Sequence, residues 1–224
     1  MAPSMVVGRH MSVGRADGEG ILSVLSGKLG YVMQLEWDVH WINIVEAGWQ
    51  EYLLAESSLA EGEADESLGP AAYRTLRLGA SAAIFLHHFA EVAVRARPDF
   101  LQETKFDLAN IRQLVSQKCC MSRTDTPSAD LALLEDVADS LKHAVLTRRV
   151  AQRRVQQNDQ VLVIASGYAE LPFGEGKYGG TDQVIVRAKT GHRALSGVLQ
   201  NVIDAWRSTF GWELPGMGEP SAPP

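Results

Sequence analysis

Apolar residues recur at helical spacing along most of this chain and at strand spacing in one part of it. The first helical pattern runs from about Ile21 to Glu56. Trp41, Ile42, Val45, Trp49 and Tyr52 share one side of it, and Glu36, His40, Asn43, Glu46 and Gln50 form a polar stripe on the other. Asp38 interrupts the aromatic side, where an ionised carboxylate is costly unless paired, so a basic or imidazole partner from another helix is expected. After the acidic loop at residues 57–70, a second helix is predicted from about Pro70 to Arg97, stopped by Pro98. Most of its circumference is Ala, Leu, Ile, Phe and Val, with Gly79, Ala80, Ala82 and Ala83 permitting close approach. It is expected at the centre of a bundle. A third helix is predicted from about Asp99 to Met121, and a fourth from Asp130 to Arg149, with Ser128 or Asp130 as its cap.

The fourth helix carries two distinct faces. Leu134, Val137, Ala138, Leu141 and Val145 form a core stripe, while Asp136, Asp139 and His143 fall together opposite it. The period then changes. Val161 to Ala165 and Gln183 to Ala188 are β-branched runs flanking a segment with five glycines, which predicts two strands joined by a long loop. A last amphipathic helix follows, with Leu195, Val198, Leu199, Val202, Ile203, Trp206 and Phe210 on one face. The fold class predicted is mainly α: a bundle of about five helices with a small two-stranded antiparallel β-hairpin, at about residues 161–188, inserted before the last helix. Residues 1–20 and 213–224 read as a disordered leader and tail around a single helical domain over 21–212.

Composition narrows the classes of function. A net charge of −6 argues against general nucleic-acid binding and leaves nucleic acid only the local basic run at residues 142–154. No membrane partner is expected, because the longest apolar run, Leu78 to Val94, is interrupted by His87, His88 and Glu91. The two cysteines, Cys119 and Cys120, are adjacent and read as reduced apolar residues, and the N-terminus lacks an apolar secretory core; both point to a cytoplasmic protein.

Three constellations carry candidate chemistry. On the fourth helix, Asp136, Asp139, Lys142 and His143 are candidate catalytic residues, the imidazole serving as acid or base. His40, His87, His88 and Glu91 are candidate metal ligands, because inward-facing carboxylate and imidazole pairs in a bundle assemble such sites. The Glu-x-x-His spacing of di-iron bundles is absent, however, and the pattern identifies no cofactor. An Arg and a His five apart occur at Arg187 and His192, but at a strand end with Gly191 between them, which is not the helical pair that RNA-cleaving bundles use. In the glycine-rich segment, Tyr168, Phe173, Lys177 and Tyr178 are candidate binding residues at a hairpin tip. The glycines there do not form a phosphate loop: the position five before Gly176 of the Gly-Lys pair is Leu171, and a strand follows.

Two classes of function remain. The first is a binding or assembly module, with a protein partner or self-association through the glycine-rich loop and the helix faces. The second is a hydrolytic or metal-dependent enzyme, nuclease-like in one form, built on the His, Asp and Glu residues of the bundle.

Overall fold

The structure, a computed structural model, describes residues 36–61, 68–96, 107–121, 124–147, 151–164, 171 and 182–211. The order of elements is α1 (Trp37–His40), a π-helical segment (Trp41–Glu46), α2 (Ala47–Glu61), α3 (Leu68–Ala96), α4 (Leu108–Lys118), α5 (Asp130–His143), a 3₁₀ turn (Asn158–Gln160), β1 (Val161–Ile164), β2 (Gln183–Ala188), β3 (Gly191–Ala194) and α6 (Leu195–Phe210). The protein is mostly helical with a small antiparallel sheet. No helix among the described residues is long and apolar enough to cross a membrane.

The π-helical segment explains how the first aromatic face stays buried. Trp41, Val45 and Trp49 are four residues apart, and steps of four drift by ~40° each around an α-helix of 3.6 residues per turn. The wider i→i+5 turns between Trp41 and Glu46 take up that drift. Trp41, Val45, Trp49 and Tyr52 are all buried, while Ile42, expected beside them, is 57% exposed. Asp38 is a correction of the same kind. The helix begins at Trp37, so Asp38 sits in the first turn, where its carboxylate accepts from the Val39 N–H at 2.8 Å. The helix N-terminus satisfies it, and the interhelical partner expected from sequence is not there among the described residues.

α3 is central, as its nearly all-round apolar surface predicts. It packs on α2, α4, α5, α6 and the sheet, burying Ala82, Ala83, Leu86, Phe89, Ala90 and Ala93. The Phe89 ring is the hub of an aromatic cluster, with Trp41 at 4.8 Å, Trp206 at 5.0 Å and Phe210 at 5.7 Å between ring centroids. All three arrangements are edge-on, the geometry that ring quadrupoles favour. The Thr75 hydroxyl bonds the carbonyls of Ala55 and Ala71, fastening α3 to α2.

α4 starts at Leu108, where Asp107 is extended and its side chain accepts from the Asn110 N–H at 2.9 Å; residues 99–106 of the helix expected from sequence lie outside the described residues. α5 stops at His143, six residues before the predicted Arg149. Ala144 turns into positive φ (57°), and Val145 pairs with Gln157 instead of joining the core; it is 52% exposed. Among the described residues the sheet has three strands in the order β1-β2-β3, one more than the hairpin predicted. Ile164 pairs with Gln183, which closes the first hairpin where the β-branched runs place it. The third strand, GHRA, has no apolar alternation to mark it. It forms because Lys189 and Thr190 turn the chain back and Gly191 takes φ 125°, so Gly191 faces Ala188.

Two buried carboxylates fasten the sheet to the helices. Glu56, fully buried on α2, accepts from the Tyr52 hydroxyl at 2.6 Å and from the backbone N–H of Val184 on β2 at 3.1 Å. Burial, together with the Glu56 charge, holds the Tyr52 phenol well above its ordinary pKa. Asp130, at the start of α5, takes Arg193 of β3 on both oxygens at 2.6 and 2.9 Å and Asn201 of α6 at 2.6 Å. Removing a buried acceptor from such a cluster leaves a desolvated guanidinium behind, so Asp130→Ala should destabilise by about 3–5 kcal/mol in urea unfolding.

A second prediction concerns Gly79. A Cβ there would sit 3.0 Å from Leu195 Cδ2 and 3.0 Å from Tyr52 Cε2, and the Tyr52 ring is held by its bond to Glu56. Gly79→Ala should therefore cost about 1–3 kcal/mol through overpacking, despite the better helix propensity of alanine. A variant as stable as the native chain would show that α3 and α6 can separate without loss.

Candidate functional site

Three helices meet α6 around an open-mouthed cleft of about 300 Å³. Its space comes from alanines on three helices: Ala90 of α3, Ala109 of α4 and Ala132 of α5 line it where larger side chains would fill it. Leu86, Leu131 and Trp206 supply the rest of its apolar wall. Trp206 is 1% exposed, and its Nε1–H has no acceptor among the described residues, which is unusual for a buried indole.

The polar side of the cleft is built from residues that adjoin core positions on their helices. His87 follows the buried Leu86, Arg112 follows Ile111 and Glu135 follows Leu134, so each lies at a boundary between core and solvent. Arg112 donates through Nη2 to His87 Nε2 at 3.4 Å, and its Nη1 lies 3.8 Å from Glu135. Gln113 and Ser116 continue the same side along α4. Burial first, and then the Arg112 charge, lower the pKa of His87 to about 4; Lys142 and His88 push the same way and Asp139 opposes them. At neutral pH the imidazole is uncharged, and its Nε2 faces Arg112 as an acceptor. The arrangement offers a cation, a neutral imidazole and amide and hydroxyl donors beside an apolar hollow.

The residues singled out from sequence are partly gathered here. Asp136 and Asp139 are neighbours, but Arg153 holds both, at 2.8 and 2.9 Å, and the N–H of Arg154 donates to Asp136 at 2.7 Å. Asp136 is 4% exposed and fastens the 151–155 segment to α5. Lys142 contacts His88, and His88 also lies 3.5 Å from Glu91, so this trio forms a surface cluster beside the cleft. His143 is exposed at the end of α5 and joins none of them. His40 stacks on Phe89 with a centroid distance of 6.1 Å, and burial lowers its pKa. Of the four candidate metal ligands, His87 and His88 have adjacent rings at 5.5 Å, but no three His, Cys, Asp or Glu side chains among the described residues are grouped to hold a metal ion. Tyr168, Phe173, Lys177 and Tyr178 lie outside the described residues. Arg187 and His192 face one another across β2 and β3, at the edge of the sheet. Cys119 is buried, with its thiol pushed up to about 11 mainly by burial, and is chemically quiet.

Arg112, Glu135 and Trp206 were not foreshadowed by the sequence. Arg112 is one basic residue on a short helix, and Trp206 belongs to the predicted core face of α6. Nothing in their spacing distinguishes them. No protein-family model, curated protein or solved structure matches this chain at a significant level, so the geometry carries the functional reading.

The depressed pKa of His87 has a consequence for stability. The unfolded chain binds this proton near pH 6.5 and the folded chain only near pH 4, so stability is full above pH 6.5 and falls as pH drops from 6.5 to 4. The loss attributable to His87 is about 3 kcal/mol at its greatest. Urea titrations at pH 7 and pH 4.5 should show a smaller pH dependence for His87→Gln than for the native chain; identical slopes would mean that His87 is not the group responsible.

Proposed function

We propose that the protein is a binding module whose ligand seat is the cleft between α3, α4, α5 and α6, and that its ligand is a small organic molecule. The observation that supports this most is the pairing of vacant apolar space with polar groups not consumed by the fold. Ala90, Ala109 and Ala132 leave the space, while Arg112 and His87 stand at its edge with only long contacts to one another. Clefts of roughly this size, mostly apolar with a few placed polar groups, are the usual form of small-molecule sites. The hydrolytic alternative has less to draw on. Its two aspartates, Asp136 and Asp139, are engaged by Arg153, Lys142 contacts His88, and the His143 imidazole is exposed at the end of α5. A role in assembly through the glycine-rich loop rests on residues outside the described ones and adds nothing to this reading.

Filling the cleft provides the test. Ala132→Phe places a ring in the hollow from α5, where the position is half-buried and the helix tolerates the change. A library of small organic fragments, charged and neutral, is screened against the native chain and the variant by ligand-observed nuclear magnetic resonance. Fragments that bind the native chain should be lost with Ala132→Phe while the variant remains folded. Fragments that bind both equally would place the seat elsewhere.

A further inference from the structure

We propose that this cleft selects small monocarboxylic acids with an apolar body, the ligand carboxylate displacing Glu135 from Arg112. The proposal rests on the reading of the cleft as a ligand seat and adds the chemical class of the ligand. Arg112 differs from the arginines that hold the fold together. Arg193 grips Asp130 at 2.6 and 2.9 Å, Arg153 grips Asp136 and Asp139 at 2.8 and 2.9 Å, and Arg207 holds Glu46 at 2.9 Å. Arg112, by contrast, stands 3.8 Å from Glu135, beyond hydrogen-bond reach, and among the described residues makes one long contact of 3.4 Å to His87. A guanidinium has five N–H donors in a fixed fork that matches a carboxylate on two bonds, and those of Arg112 are largely unspent.

Glu135 marks where such an anion would sit. Its side chain is 41% exposed against 27% for Arg112, so it can turn into water at little cost when a ligand carboxylate takes its place. The exchange conserves charge: one carboxylate leaves the guanidinium as another arrives. Arg112 is the one cation among the described residues lining the cleft, which favours a monoanion over a phosphate dianion. Uncharged His87 adds no second cation and keeps an acceptor directed at Arg112, holding the fork in place. The ligand's apolar body is received by Leu86, Leu131 and Trp206, in the space that Ala90 and Ala132 leave.

Isothermal titration of the full chain with phenylacetate, phenylacetamide and inorganic phosphate at pH 7 tests this. Phenylacetate should bind about 10-fold or more tightly than the amide, because hydrogen bonds to a charged group outweigh those to a neutral one. Phosphate should bind more weakly than phenylacetate. Glu135→Gln removes the internal competitor at an exposed position, and should tighten phenylacetate several-fold and by more than it changes the amide. Arg112→Gln should erase the preference for the acid. Equal binding of acid and amide to the native chain would overturn the carboxylate selectivity and leave the cleft as a seat for neutral ligands. Tighter binding of phosphate, or a Glu135→Gln chain no better for the acid, would overturn it likewise. Binding of neither organic probe to the native chain or to Glu135→Gln would overturn the inference, and if the fragments lost with Ala132→Phe were also missing, the cleft reading would fall with it.

Discussion

The junction at Asp130 is the contact on which most of the architecture depends. One buried carboxylate, 1% exposed, binds Arg193 from β3 and Asn201 from α6 while lying in the first turn of α5. α5 is thereby fixed to β3 and to α6, 63 and 71 residues further along the chain. Charge that would be prohibitive to bury alone is tolerated because guanidinium, amide and helix N-terminus all face it. The pairing also accounts for β3 itself. Four residues with little apolar content hold their place beside β2 because Arg193 is anchored from the helical side.

The same solution recurs at two further seams. Glu56 joins α2 to β2, and Asp136 joins α5 to the segment that leads into β1. In each case a carboxylate on a helix meets a backbone N–H that the local secondary structure leaves without a ladder partner. Hydrophobic burial holds the helices together around Phe89, and these three acids decide how the non-helical parts attach. The buried carboxylates of Glu56, Asp130 and Asp136 are thus spent on attachment.

Against that background the cleft is distinctive. Its polar residues are placed with long contacts, and its alanines forgo the packing that larger side chains would give. A hollow of this kind forfeits dispersion contacts with the missing atoms, so it stands as a local departure from the close packing around Phe89. Departures of this sort are where sites for ligands are found.

How much of this was legible in sequence follows from the range of the forces involved. Periodicity marked α3, α5 and α6 and placed the first hairpin, because core burial imposes a repeat on the residues themselves. The buried face of α6 is the one its spacing predicts, from Leu195 to Phe210. Capping chemistry was visible in kind, but which of the possible caps operates was not: Asp107 starts α4 well inside the apolar pattern. The contacts of Asp136 with Arg153 and Arg154, of Asp130 with Arg193 and Asn201 and of Glu56 with Val184 span 17 to 128 residues of chain, which no local pattern encodes, while β3 and the end of α5 at Ala144 depend on turns that the apolar spacing does not mark. The site lay furthest out of reach. His87 could be suspected from its residue type, but Arg112, Glu135 and Trp206 come from three different helices and share no spacing. Sequence by itself determined which faces turn inward, because each residue carries its own cost of hydration. The tertiary structure alone decided which charges meet, because pairing depends on distances that only the packed helices define.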